Sequence, residues 1–196
     1  MNESVAKAMC DAKVVKFGDF TYVSGKRGPV YVDVRVLPSN PASMDTVTSE
    51  MADVAKKIDF DVVCGAETAG ISLAAVVAIK LKKPMVYVRK KPKQHGTKTM
   101  IEGSFREGDR MLLVDDMITD GGSKRVFIDG IRASGAIVED ALIVLDREQG
   151  GSETLSKSDV RLHSLITLKE LLDYMKDKKL VKEEKYKEVV SYLEGQ

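Results

Sequence analysis

From about residue 41 onward, the chain alternates short apolar runs with longer segments of helical periodicity. Short continuous apolar runs bounded by turn residues predict buried strands. Such strands are predicted at residues 61–65, 85–88, 111–114, 136–145 and 160–166. Apolar residues at helical spacing predict helices at residues 41–58, 70–82, 123–134, 168–178 and 182–193. Strands that alternate with helices predict an α/β fold with a parallel sheet and right-handed crossovers.

The first 40 residues follow a different pattern, which predicts an appendage to this sheet. Residues 4–13 are predicted to form a short helix, and residues 14–25 a β segment closed by a Ser-Gly turn. Residues 29–37 place a valine at every second position, which predicts a half-exposed strand. Farther along, residues 89–110 have no hydrophobic period, and a polar loop of this length is typical of a lid or a disordered segment.

Size and composition predict a single soluble domain. The chain has 196 residues, of which 43% are apolar and 31% charged, values that are ordinary for a globular protein with a substantial core. We expect a hood of about residues 1–40, a core of about residues 41–150, and a C-terminal strand and helices at residues 151–196. The net charge of +1 argues against a broad nucleic-acid-binding surface.

Neither export nor membrane insertion is expected from the sequence. The N-terminus is polar and acidic, unlike a signal peptide, and no apolar run approaches the length of a transmembrane helix. Cys10 and Cys64 are too few for a disulfide framework, which favours a reducing compartment. We therefore expect a cytoplasmic protein in which Cys64, within an apolar run, is a buried thiol.

Residues 111–123 carry the strongest functional pattern in the chain. An apolar run leads into Asp115 and Asp116, and a loop rich in glycine and hydroxyl groups then precedes a helix. Glycines let a backbone approach an anion closely, and the unpaired amides at the start of a helix attract phosphate. Adjacent carboxylates suit a ligand with hydroxyl groups, or a bridging metal, beside its phosphate, such as a ribose 5-phosphate. The alternative is an ordinary turn with solvated acids.

A cationic segment follows the strand at residues 85–88. Residues 89–96 contain five cationic or titratable groups, together with Pro92 and Gly96. The general alternative is a solvated charge run. Its position at a strand end instead favours a loop that binds a polyphosphate. Lysines desolvated by the phosphates would then stabilise the charge that develops on a leaving group.

Two further strand ends carry candidate binding groups. Residues 65–71 join a strand to a helix and could cradle an anion; the alternative is an ordinary connecting loop. Arg147 follows the strand at residues 136–145 and could pair bidentately with a carboxylate; the alternative is a surface ion pair. Because ligands of parallel α/β sheets bind at the carboxyl ends of the strands, these clusters predict one shared site.

Several of these segments resemble known motifs. Residues 111–123 resemble the signature of type I phosphoribosyltransferases, which bind phosphoribosyl pyrophosphate (PRPP), with Asp120 where Thr or Ala is more usual. Residues 89–96 resemble the catalytic loop of orotate phosphoribosyltransferases: Arg-Lys, two residues, Lys, one residue, His-Gly. Residues 65–71 resemble the pyrophosphate loop of the family, with Ala69 where many members have Gly or Lys. Residues 17–31 resemble its N-terminal hood, with Val23 where many members have Lys.

The resemblance implies a type I phosphoribosyltransferase fold, in which helices flank a mostly parallel sheet beneath a small N-terminal hood. It also implies transfer of the phosphoribosyl group from PRPP to orotate, giving orotidine 5′-monophosphate and pyrophosphate in pyrimidine biosynthesis. Mg²⁺ would be the cofactor, held mainly by PRPP, with Asp115 and Asp116 as the candidate protein ligands. The implied assembly is a homodimer whose catalytic loop reaches the partner's site, with no nucleic-acid or membrane partner.

The resemblance assigns roles to individual residues. The implied catalytic residues are Lys93, His95, Asp115 and Asp116. The implied PRPP-binding residues are Arg89, Lys90, Lys93, His95, Glu67, Thr68, Ala69, Gly70, Asp115, Asp116, Met117, Ile118, Thr119, Asp120, Gly121, Gly122 and Ser123. Those implied for orotate are Thr119, Arg147 and Tyr31. The peptide bond between Glu67 and Thr68 is expected to be cis.

Three other interpretations compete with this one. A phosphoribosyltransferase for a purine is disfavoured by the lysine-rich loop and by Arg147. A PRPP-binding regulator of the same fold should lack the loop lysines and should carry a DNA-binding segment. A purely structural α/β module leaves the strand-end loops unexplained.

Overall fold

A six-stranded sheet forms the centre of the protein, whose computed structural model describes residues 1–22, 25, 27–92 and 99–195. Its spatial strand order is β5-β4-β3-β6-β7-β8. The strands are β3 (Val62–Ala66), β4 (Met85–Val88), β5 (Ile101–Glu102), β6 (Arg110–Ile118), β7 (Ile137–Asp146) and β8 (Arg161–Thr167). All neighbouring pairs are parallel except β4 and β5, which are antiparallel. The predicted α/β class with a mostly parallel sheet is confirmed.

Helices cover both faces of this sheet. They are α1 (Glu3–Asp11), α2 (Pro41–Ala55), α3 (Ala69–Leu81), α4 (Gly122–Ala133), α5 (Gly151–Ser156), α6 (Leu168–Asp177) and α7 (Glu183–Glu194). Successive side chains of a strand point to opposite faces, and β6 shows the result: Leu112 and Val114 join a core with α2 and α3. Met111 and Leu113 instead join a second core with α4. Apolar runs, rather than alternating patterns, mark these strands because both faces are buried.

Local sequence signals define several helix ends. The side chain of Asn40 accepts a hydrogen bond from the Ser43 amide at 3.2 Å, which caps α2 immediately before Pro41. The Thr167 hydroxyl accepts from the Glu170 amide at 3.2 Å, and the Glu170 carboxylate accepts from the Thr167 amide at 2.9 Å. These two bonds form a complete capping box at the start of α6.

The hood consists of a two-stranded hairpin and the elements beside it. Strands β1 (Val15–Thr21) and β2 (Arg27–Val32) pair antiparallel, with a bulge between Phe17 and Phe20. Helix α1 packs on α2 and α6, and α7 packs on β2, so the two ends of the chain both support the hood. Among the described residues, no helix is long and apolar enough to cross a bilayer.

Four predictions about element boundaries were wrong or incomplete. Residues 29–37 do not form one strand, because β2 ends at Val32 and a 3-10 helix follows at Val34–Ser39. Strand β6 continues past Val114 to Ile118, since parallel pairing with β7 extends to that residue. Strand β5 lies inside the predicted polar loop; its two residues carry no period and form a strand by pairing with β4. Helix α5, a single short helix, was not predicted.

Candidate active site

The predicted clusters meet at one edge of the sheet, where β3, β4, β6 and β7 end. The carboxylate of Glu67, after β3, accepts a hydrogen bond at 2.8 Å from the Lys90 amide, after β4. A Cβ at Gly70 would collide with the Val114 carbonyl and would lie 3.1 Å from the Asp115 carboxylate. Glycine therefore lets the start of α3 rest directly against β6. The Arg147 amide donates to the Ile118 carbonyl at 3.0 Å, which ties the end of β7 to the same edge.

Asp115 and Asp116 lie within β6 and occupy different environments. Asp115 is 5% exposed and forms an ion pair with Lys124, which is 4% exposed, in the first turn of α4. The other oxygen of Asp115 accepts from the Asp116 amide at 2.9 Å. Asp116 is only partly buried, and one of its oxygens accepts from the Met117 amide at 2.7 Å. The more accessible carboxylate of the pair is therefore that of Asp116.

The electrostatics of the pair follow from this arrangement. Burial, and to a smaller extent the neighbouring Asp115 carboxylate, raise the pKa of Asp116 to about 7, although the Lys124 ammonium opposes the shift. Like charges close together in a site of low polarity favour the protonated form. The acid pair is therefore asymmetric, with Asp115 neutralised by a buried lysine and Asp116 holding a proton more tightly than an ordinary aspartate.

Lys124 is the main site-proximal residue that sequence reasoning missed. A usable signal was present, because Lys124 shares the i, i+3, i+4, i+7 face of α4 with Phe127, Ile128 and Ile131. All three of those side chains are buried. A lysine at the start of an inward-facing stripe must find a buried anion, and Asp115 is the one within reach.

The loop between β6 and α4 has the geometry of an anion site, with one complication. Gly121 has φ +81°, and the amides of Gly122 and Ser123 are on exposed residues at the start of the helix. The carboxylate of Asp120 accepts from the Gly122 amide at 3.0 Å and from the Thr119 hydroxyl at 3.4 Å. A side-chain carboxylate thus already uses donors that a phosphate would need. Met117 and Ile118 lie in the strand, with Ile118 buried.

The predicted pyrophosphate loop joins β3 to α3 at the same edge of the sheet. Thr68 is exposed, Ala69 begins α3, and the peptide bond between Glu67 and Thr68 is cis, which confirms that prediction. Cys64, in the strand leading to this loop, is a buried thiol as predicted, and burial raises its pKa.

The cationic segment is described only in part. Arg89 forms an ion pair with Glu102 of β5 at 3.3 Å, and its Nε is buried without a hydrogen-bond partner among the described residues. Lys90 and Lys91 are exposed. The predicted residues Lys93 and His95, and the departure at Val23, lie outside the described residues.

Arg147 is a partly buried cation that forms no ion pair with the described residues. No described acid pairs with its guanidinium, and its Nε is buried without a hydrogen-bond acceptor in the described part of the chain. Burial lowers its pKa. A cation removed from water without a counter-ion is unfavourable, and the described residues do not form the surface ion pair that is the alternative for Arg147. The third residue predicted for orotate, Tyr31, accepts from Arg35 at 2.8 Å and packs on Phe20 within the hood.

Comparison with known proteins identifies the family of this chain. The phosphoribosyl transferase domain family matches residues 36–173. The orotate phosphoribosyltransferase of Sulfolobus acidocaldarius is 37% identical over 187 residues, which cover 95% of this chain and 94% of the relative. That of Rhizobium johnstonii is 39% identical over 202 residues, covering 100% of this chain and 88% of the relative. The chain belongs to the orotate phosphoribosyltransferase family. The prediction of an enzyme of this family, and not of a purine-specific one, is confirmed.

Solved structures agree with this membership. The crystal structure of the orotate phosphoribosyltransferase from Aeropyrum pernix has a TM-score of 0.77 and 33% identity, covering 88% of this chain and 99% of that chain. The Leishmania donovani UMP synthase has a TM-score of 0.90 and 29% identity; the match covers all of this chain and 43% of that one. The predicted type I phosphoribosyltransferase fold is thereby confirmed.

Proposed function

We propose that this chain transfers the phosphoribosyl group of PRPP to orotate, with the residues of the sheet edge in the roles given below. The observation that carries the proposal is the partly buried Arg147 beside the Asp115–Asp116 edge, whose buried Nε has no acceptor among the described residues. A buried cation without a counter-ion favours an anionic ligand, and orotate offers a ring carboxylate. This second substrate would lie between Arg147, Thr119 and the hood residue Tyr31.

PRPP would span the three loops at the sheet edge. Asp116, the more accessible acid, accepts ribose hydroxyls, and Asp115 supports it from the ion pair with Lys124. The segment from Met117 to Ser123 encloses the 5′-phosphate, once Asp120 has released the Gly122 amide. The segment from Glu67 to Gly70 faces the pyrophosphate, with the start of α3 providing unpaired amides.

Catalysis in this arrangement is positioning combined with electrostatic stabilisation. The bond from the anomeric carbon to pyrophosphate breaks while the orotate ring nitrogen forms the new bond, so that positive charge develops on the ribose and negative charge on the leaving group. Asp116 lies on the ribose side, and its carboxylate favours the developing positive charge. The cations Arg89, Lys90, Lys93 and His95 would neutralise the departing pyrophosphate, with Lys93 as the main catalytic group.

Mg²⁺ is the proposed cofactor. No group of three or more candidate metal ligands occurs among the described residues, but Mg²⁺ is commonly bound by one or two carboxylates together with substrate phosphates and waters. Asp116 fits that requirement better than Asp115, which Lys124 already neutralises. When bound, the ion would screen the pyrophosphate charge; the protein's own contribution is to orient the ribose through Asp116.

A homodimer is the proposed assembly, with one domain per chain. Helix α3 starts at the pyrophosphate loop and remains apolar on its outer side, where Ile79 is 77% exposed and Ala75 and Val76 are only partly buried. An exposed apolar surface of this kind is typical of an interface. A two-fold contact through α3 would bring the partner's cationic segment toward this site. We also propose a cytoplasmic location, which the free thiols of Cys10 and Cys64 support.

One assay tests the reaction. Orotate consumption is followed by absorbance with PRPP and Mg²⁺ together, with each omitted in turn, and with adenine or hypoxanthine in place of orotate. The expected result is consumption of orotate only when PRPP and Mg²⁺ are both present, with release of one pyrophosphate per orotate. Turnover of a purine but not of orotate would contradict the proposal.

A further inference from the structure

Arg147 lies between two parts of the protein that are distant in sequence, the hood and the C-terminal helix α7. It lines a cavity of about 160 Å³ together with Val190 and Leu193 of α7, so that helix packs against the segment carrying Arg147. From the hood, the phenol of Tyr22 is near enough to influence the charge on Arg147, and so is the phenol of Tyr192 on α7. The guanidinium is therefore close to one tyrosine of the hood and to one of α7.

Tyr192 carries a buried hydroxyl that lies close to the Tyr22 hydroxyl of the hood. Its oxygen has no hydrogen-bond partner in the described part of the chain. A Cβ at Gly28 of the hood would lie 2.7 Å from this oxygen and would also collide with the Tyr22 hydroxyl. The absence of a side chain at Gly28 thus makes room for both hydroxyls at one point. The two rings are 6.4 Å apart between centroids.

The two tyrosines differ in what their protons can do. The Tyr22 hydroxyl donates to the Val30 carbonyl at 2.5 Å, so its proton already forms a hydrogen bond within the hood. The Tyr192 hydroxyl donates to no acceptor among the described residues. Together with the Arg147 Nε–H, this gives two buried donors without acceptors among the described residues, one in the segment after β7 and one on α7. Buried donors are nearly always satisfied in native proteins, so such a pair indicates a missing acceptor.

We propose that Tyr192 is a specificity-determining residue for orotate, whose hydroxyl donates to the same ring carboxylate that Arg147 binds. This inference rests on the function proposed above. A carboxylate has two oxygens, which matches the guanidinium donor and the phenol donor. A pyrimidine without the carboxylate, such as uracil, would leave both donors unsatisfied, and that penalty would reject it. The C-terminal helix would then take part directly in substrate choice.

The test is the Tyr192→Phe variant, which keeps the ring and removes only the hydroxyl. The KM for orotate should rise about tenfold, the value expected for a hydrogen bond to a charged group. The KM for PRPP and the inhibition constant of uracil should each stay within about twofold, since neither ligand offers a carboxylate to Tyr192. Selectivity for orotate over uracil should consequently fall about tenfold.

A matched control comes from the same helix. Tyr186→Phe removes a hydroxyl that donates to Asp173 of α6 at 2.5 Å, away from the hood, and should leave the preference for orotate over uracil unchanged. An unaltered orotate KM in Tyr192→Phe, with normal wild-type turnover, would overturn the role of Tyr192 and leave the proposed reaction standing. Equal losses for orotate, uracil and PRPP, or a failure of this variant alone to fold, would show a structural role and also overturn it. A wild type that consumes no orotate would refute the proposed reaction itself.

Discussion

The buried ion pair between Lys124 and Asp115 allows a quantitative prediction about stability. The side chains of the two residues are 5% and 7% exposed, so both charges are removed from water on folding. Replacing Lys124 by Met would leave the Asp115 carboxylate buried without its counter-ion. Breaking a buried pair in this way costs about 3–5 kcal/mol, out of a total free energy of unfolding of about 5–15 kcal/mol for a domain. For a chain of this size, we expect the melting temperature to fall by roughly 10 °C.

The assay is urea unfolding followed by circular dichroism, with the midpoint and slope fitted separately. Lys124→Met should shift the midpoint without changing the slope, since the surface exposed on unfolding is unaltered. The double variant Lys124→Met, Asp115→Asn should recover most of the loss, because no charge then remains buried. Lys7→Met serves as control: it removes an ion pair with Asp11 whose side chains are 68% and 53% exposed, and its midpoint should match the wild type.

Two outcomes would refute this reasoning. If Lys124→Met loses less than about 1 kcal/mol, the pair does not compensate buried charges in the way described. If the double variant loses the sum of the two single losses, the residues contribute independently, and their contact carries no coupling energy.

Four further outcomes are expected. Asp116→Asn should reduce turnover by at least about a hundredfold while the protein stays folded; activity within a few-fold of the wild type would exclude the ribose role. Without metal, the free energy of unfolding of the wild type should fall from about pH 4 to about pH 7, and that of Asp116→Asn much less. The folded protein binds this proton with a pKa of about 7, against an ordinary value of 3.8 that applies when unfolded; identical pH profiles would contradict the assignment. Arg147→Ala should raise the KM for orotate far more than that for PRPP, and equal increases would contradict its role in binding orotate. Mixing inactive Lys93→Ala and Asp116→Asn dimers should restore activity after subunit exchange, because one site of a mixed dimer then carries neither lesion; a mixture that stays inactive would show that each loop serves its own site.

Much of the site could be predicted because its parts are local in sequence. The acids of β6, the glycine-rich start of α4 and the loop at Glu67–Thr68 each lie within a dozen residues, and each follows a strand whose apolar run is plain. Parallel strands bring their carboxyl ends to one edge, so an order of strands and helices along the chain was enough to predict that these segments meet.

The differences between Asp115 and Asp116 could not be predicted in the same way. The two residues are identical and adjacent, and only the packing of α4 onto β6 places Lys124 against one of them. The same holds for Asp120, whose bond to the Gly122 amide depends on the path of the loop. Contacts of this kind depend on the relative placement of two elements to within an ångström, which a periodicity does not specify.

The amino-acid sequence by itself determined the fold class, the edge of the sheet at which the site lies and the kind of ligand that its loops suit. These properties depend on hydrophobic period and on short motifs, which act over a few residues. Only the tertiary structure decided that the Nε of Arg147 and the hydroxyl of Tyr192, 45 residues later in the chain, are buried without hydrogen-bond partners among the described residues. The physical reason is that burial and the absence of a partner are properties of the whole packed molecule, in which α7, the hood and the end of β7 must be assembled before any one of their polar groups can be called unsatisfied.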